Sequence, residues 1–228
     1  MNFVTQFFDF FLPRICPSCK NKLNPFEKFI CSHCLGEIKY AGIKRIKSEY
    51  ESKFLSEGII SDFCSLYIFE KDKELQNIIH SIKYNENFRL GINLGKIVGS
   101  ELNEVILEWA ADLLIPIPLH HLKKAERGYN QSYFIAKGIS TICKIPVNHK
   151  VIKRNRFTPS QTALKLQERK ENVRDAFSIK KQDQIKGKKI IIVDDVITTG
   201  STITECGRKL LEAGAEKIYA LSPAVADR

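Results

Sequence analysis

Ile190-Ile191-Ile192-Val193 runs without a break into Asp194-Asp195, and two residues later the chain reads Thr198-Thr199-Gly200-Ser201-Thr202. Four branched apolar residues in succession fit a strand buried on both faces, the kind found in parallel sheets covered by helices. In such sheets ligands bind outside the carboxyl ends of the strands. The two carboxylates stand at that end. The loop after them is small and hydroxyl-rich, so its backbone can approach an anion, and the free N–H groups and dipole of the following helix favour a phosphate. Adjacent acids would repel a naked polyphosphate, yet they suit vicinal sugar hydroxyls, which donate to them, or an approaching Mg2+. The loop therefore fits a ribose 5-phosphate better than a nucleoside triphosphate, and no Walker pattern, G-x-x-x-x-G-K-[ST], is present.

The rest of the chain has the texture such a sheet needs. FCSLYIF from Phe63 alternates like a strand, and KELQNIIHSIKY and NLGKIVGSELNEVILEWA have helical spacing. ADLLIPIP is a short apolar run ended by prolines, NQSYFIAKGIS is helical, ITECGRKLLEAGA is a helix closed by Gly214, and KIYALSPAVA is a last strand. The expected fold is α/β, a parallel sheet flanked by helices, over residues 61–228. Residues 153–176 are polar, basic and without apolar periodicity, so they read as a loop. Residues 42–60 hold many charges and few signals. Phe3, Phe7 and Phe11 mark an amphipathic helix that Pro13 stops, packed on the rest of the protein.

A small unit precedes the sheet, over residues 1–60. Cys16-Pro-Ser-Cys19 and Cys31-Ser-His-Cys34 are two C-x-x-C pairs with eleven residues between them. Each pair can set two thiolates on one ion, and two pairs complete the tetrahedral sulfur shell of a structural Zn2+ site. A segment this small has too little core to fold without such a staple. Four thiolates leave no open position, so the zinc is structural rather than catalytic and His33 is a bystander. Cys64, Cys143 and Cys206 lie on apolar patterns and read as buried small hydrophobes.

Charge narrows the ligand class. The 228 residues carry a net +10, and from His120 to Lys189 there are 18 Lys/Arg against 5 Asp/Glu, which leaves the remainder negative. So concentrated a surplus points to a polyanion: nucleic acid, a phosphorylated substrate or lipid headgroups. At 43% hydrophobic and 27% charged the composition excludes general disorder. No run of about 18 apolar residues predicts a membrane span. The apolar N-terminus lacks a basic leader and carries Asp9, and seven cysteines is an odd number, so a reducing cytoplasm is the expected location.

Further pieces of sequence carry a resemblance: Ile82-Lys83-Tyr84, Ile115-Pro-Ile-Pro-Leu119, Arg127-Gly-Tyr-Asn-Gln131, and Thr158-x-x-Gln161…Arg169-x-x-Asn172-Val173…Ala176-Phe177. With the cysteine ribbon and the loop at Asp194, this combination resembles the ComF/GntX family of phosphoribosyltransferase-like competence proteins over nearly the whole chain. The loop itself looks like the phosphoribosyl pyrophosphate (PRPP) signature of type I phosphoribosyltransferases. Tyr129 stands where the family often has Phe.

The resemblance implies roles. Asp194 and Asp195 would hold the ribose hydroxyls, the second also serving as general base, and Val196 with Thr198, Thr199, Gly200, Ser201 and Thr202 would bind around the 5-phosphate. The strand over 112–117 and its loop through Pro118 would lie near the pyrophosphate, with Arg127 reaching toward it. Residues 155–176 would form a hood, with Arg169 as a catalytic clamp. Mg2+ would come with PRPP. Lys83 matches a family position without a specific role, and His120 and His121 read as a surface pair. Implied partners are PRPP or a related ribose phosphate, single-stranded DNA, a competence helicase-like ATPase and a recombination mediator. The alternative to a Mg2+-dependent transferase with an undefined acceptor is a single-stranded-DNA-binding or adaptor module with a vestigial site.

Overall fold

The computed structural model describes residues 13–156 and 175–227. Its centre is a sheet of parallel strands in the order β1 (Asp62–Phe69), β7 (Lys217–Ala226), β5 (Lys189–Val193), β2 (Leu113–Pro116). A two-residue strand β6 (Val196–Ile197) pairs with the far end of β7, so β5 and β6 share one long neighbour with Asp194 and Asp195 between them. Residues 190–193 are fully buried. Ile191 and Val193 enter the core on one face, Ile190 and Ile192 the core on the other. That is the period-two consequence of a strand covered on both sides, which an uninterrupted apolar run encodes.

One face is covered by α3 (Glu74–Tyr84), α4 (Phe88–Glu101) and α7 (Gln131–Cys143). The other takes α8 (Ser201–Glu212) and the end of α2 (Ile43–Lys53). Helices α4 and α7 pack unusually closely. A Cβ at Gly95 would fall 2.1 Å from the Ile135 carbonyl oxygen, and one at Gly138 would fall 2.2 Å from that of Ile92. Short helices α1 (Ser32–Gly36), α5 (Asn103–Glu108) and α6 (His121–Arg127) complete the chain order.

Residues 39–41 run antiparallel along β1, where Ala41 N donates to Leu66 O (2.8 Å) and Ile68 N to Lys39 O (2.9 Å). They cover the edge of the sheet, whose free N–H and C=O groups would otherwise face solvent. Leu23, Ile30, Ile38, Cys16 and Cys34 join the same core as Leu66 and Tyr67.

Two elements depart from what the sequence leads one to expect. The charged stretch after Gly42 forms α2. Its inward row includes Ile46, Tyr50 and a fully buried Glu49, whose carboxylate is clamped by Arg45 (2.9 Å) and Lys53 (2.8 Å). A helix whose buried face carries a carboxylate and its counter-ions has little hydrophobic signature to read. The loop expected over 153–176 starts within a strand: β3 (Ile152–Arg154) takes its first two residues and pairs antiparallel with β4 (Phe177–Ile179), which begins just past its end. The Phe-rich segment 3–12 and most of the hood, with Arg169, lie outside the described residues. Among the described residues, no helix is long and apolar enough to cross a membrane.

Candidate functional site

The acid pair and the loop after it line a cavity of about 400 Å3. Asp194, Asp195, Val196, Thr198, Thr199, Gly200, Thr202 and Arg127, all singled out in the sequence, meet there. Gly200 sits in the left-handed region (φ +79°), and a Cβ on it would come within 2.7 Å of the Phe54 ring, so the turn accepts only glycine without displacement. Gly200 is also the N-cap of α8 and brings no side chain to cap it; the Thr199 hydroxyl accepts from the first N–H, that of Ser201 (3.4 Å). Among the described residues no cap engages the next N–H groups of that turn, which leaves them available to an anion. Lys53 Nζ donates to the Thr198 carbonyl from beneath. The end of α2 thus supports the loop at two points.

Two expected residues fall elsewhere. Ser201 turns away to share a hydrogen bond with Thr199 (Oγ to Oγ1, 3.0 Å) and lines a depression with Glu57 and Arg208. Pro118 lines a neighbouring cavity.

The two acids differ in surroundings. Asp194 accepts from Ser132 Oγ (3.1 Å) and from the Asp195 N–H (2.9 Å). Burial first, and then the adjacent Asp195 charge, push its carboxyl up to about 8. Burial also works against the charged form of Asp195, but Lys83 outweighs it and holds that carboxyl below the ordinary value. The Lys83 Nζ to Asp195 Oδ2 distance is 2.6 Å. The pair thus contains one readily ionised acid and one that resists ionisation, as two crowded carboxylates must.

The other wall is cationic, with Lys123, Arg127 and Arg154 facing the cavity. Burial lowers the Lys123 ammonium, and the nearby Arg154 and Arg127 lower it further. Positive charge is crowded here, and a polyanion would relieve it. The Arg127–Gln131 motif builds much of this wall. Arg127 lies over the Tyr84 ring at 5.3 Å, Tyr129 Oη donates to Ile82 O, and Asn130 caps α7 while its amide donates to Ile117 O (2.9 Å). Gln131 is buried, borders the cavity and, among the described residues, has no hydrogen-bond partner for its Oε1. An unsatisfied buried acceptor facing a cavity is costly unless a ligand donates to it. In the sequence Gln131 stands within a motif but carries no role of its own, and Lys83 carries none either. His120, expected on the surface, is 5% exposed and accepts from Leu122 N through Nδ1 at the start of α6.

Beside this cavity lies a larger one, about 860 Å3, that shares Leu119 and Arg154 with it. Its lining includes Tyr129, Tyr133, Phe134 and His149, with Lys124, Lys150, Lys153, Lys180 and Lys181, and holds no carboxylate among the described residues.

The four ribbon cysteines bring their sulfurs within 4.8 Å of one another, and Cys19 and Cys31 stand 3.7 Å apart. Burial raises the Cys16 thiol, but N–H groups of Cys31, Cys19 and Ser18 outweigh it and bring it to about 7. N–H groups aimed at sulfur stabilise thiolates, the form that binds metal. The set fits Zn2+, and exposed His33 lies outside it.

Comparison with known proteins adds relatives. Residues 127–224 match the phosphoribosyl transferase domain family. Competence protein F of Haemophilus influenzae is 27% identical over 208 residues, covering 90% of this chain and 87% of that protein. Competence protein ComFC of Bacillus subtilis is 25% identical, covering 88% of this chain and 79% of the relative. DNA utilization protein YhgH of Escherichia coli is 28% identical over 147 residues, which span 63% of this chain and 64% of that protein.

Proposed function

We propose that the chain is a ComF-family phosphoribosyltransferase-like protein with a role in DNA uptake, and that it binds phosphoribosyl pyrophosphate together with Mg2+. The observation that carries this reading is the junction of an acid pair with a helix N-terminus whose N-cap is glycine, in one cationic cavity. The 5-phosphate takes the loop over Thr198–Thr202 and the first N–H groups of α8. The ribose diol donates to Asp194 and Asp195. The pyrophosphate lies against Arg127 and Lys123. Bound with PRPP, Mg2+ would supply charge that neutralises the pyrophosphate leaving group, and Asp194 and Asp195 are the carboxylates of this cavity that would hold it. The chain itself contributes position and fixed charge, which favour an oxocarbenium-like state at C1 without covalent chemistry. The four cysteines hold Zn2+ as a staple for the N-terminal ribbon.

A second observation bears on DNA. The larger cavity combines aromatic faces with lysines, the two features that hold single strands by stacking and by phosphate contact. The strand lies there, one wall away from the ribose site. Assay of pyrophosphate release from Mg·PRPP, with free bases and with oligonucleotides as acceptors, tests transfer. Release with one acceptor class identifies a transferase. Binding without release under every acceptor assigns the site to sensing PRPP.

A further inference from the structure

The last turn of α3 holds three consecutive residues that each reach a different part of the site. The Ile82 carbonyl accepts from Tyr129, the Tyr84 ring lies under Arg127, and Lys83 grips Asp195. The Lys83 ammonium is 2.6 Å from Asp195 Oδ2 and so engages an acceptor that a sugar hydroxyl at this carboxylate could also use. A ribose diol and Lys83 therefore compete for one acceptor. The contest is between unequal partners. A neutral hydroxyl asks only for a lone pair, whereas the ammonium needs charge, and PRPP carries far more of it than one carboxylate does. The Lys83 side chain is 24% exposed, borders the cavity and has a flexible four-carbon stem, so its head can turn inward without moving α3.

We infer that Lys83 is a ligand-contacting residue that exchanges Asp195 for the pyrophosphate of incoming PRPP, releasing the carboxylate to the ribose hydroxyls. The inference rests on the ribose-phosphate reading of the site. It separates the contribution of Lys83 to the pyrophosphate half of the ligand from its hold on Asp195.

Two ligands and two variants test it. Calorimetric titration with Mg·PRPP and with ribose 5-phosphate compares wild type with Lys83→Gln, which keeps a donor for Asp195 but not the charge, and with Lys83→Arg, which keeps the charge. Thermal melts check that each variant folds. Lys83→Gln is expected to weaken PRPP at least about tenfold and ribose 5-phosphate less than about threefold, while Lys83→Arg recovers most of the PRPP affinity. Equal weakening of both ligands would reduce Lys83 to a support for Asp195 and overturn the exchange. Unchanged PRPP affinity in Lys83→Gln would overturn it as well. Failure of the wild type to bind either ligand would instead remove the ribose-phosphate reading beneath it.

Discussion

At Asp194, burial and the neighbouring Asp195 charge raise the carboxyl from 3.8 to about 8, while Lys83 holds Asp195 below 3.8. The two have opposite consequences for stability. Between those values the folded chain keeps a proton on Asp194 that the unfolded chain has released, so stability falls as pH rises from about 4 to 8. Asp195 contributes stability that is present above its unfolded value and lost only as pH drops through its lower folded one. Over pH 5 to 8 Asp195 is therefore constant and Asp194 alone of the pair titrates. Melting curves of wild type and Asp194→Asn across that range should diverge, the variant gaining several degrees on the wild type toward pH 8. Parallel curves would mean that Asp194 ionises normally. The acid pair was legible in the sequence because both residues adjoin a buried strand. Lys83 and Gln131 were not. The significance of Lys83 depends on a strand end far along the chain, and that of Gln131 on an orphaned acceptor, neither of which leaves a local pattern.

Elements divide in the same way. Strand β5 and helix α8 could be read directly because an apolar run and a small-residue loop bound them. Helix α2 could not, since its buried face holds Glu49 between Arg45 and Lys53. Yet α2 carries Lys53 and Phe54 against the loop after the acid pair, where Phe54 leaves room only for glycine at position 200. The cysteine ribbon could be read from spacing alone, because metal geometry imposes spacing. It packs into the core beside Leu66 and Tyr67, so if the proposed zinc holds it together, stripping that metal should be felt beyond residues 13–38. Purified protein is expected to carry one zinc per chain, and a strong chelator should lower the melting temperature and raise proteolysis of the ribbon. A melting temperature indifferent to chelation, with no zinc by elemental analysis, would make the four cysteines a metal-free cluster.

Across the whole molecule, the sequence showed that basic charge is concentrated between His120 and Lys189 but not how it is divided. The fold sends Lys123, Arg127 and Arg154 to the cavity of the acid pair and Lys124, Lys150, Lys153, Lys180 and Lys181 to the aromatic one, with Arg154 bordering both. Those two groups should separate in experiment. Replacing Lys124, Lys153 and Lys180 by Gln should flatten the salt dependence of single-stranded DNA binding, lowering the slope by roughly 0.7 for each phosphate no longer neutralised, with little change in PRPP affinity. An unchanged slope would put the strand elsewhere. The central claim is the ribose-phosphate site itself, and calorimetric titration of Mg·PRPP into wild type and into the Asp194→Asn, Asp195→Asn double variant tests it most directly. The account predicts saturable binding at one site per chain in the wild type and a weakening of at least about tenfold in the double variant. Equal affinity in both proteins, or no binding to the wild type, would contradict it.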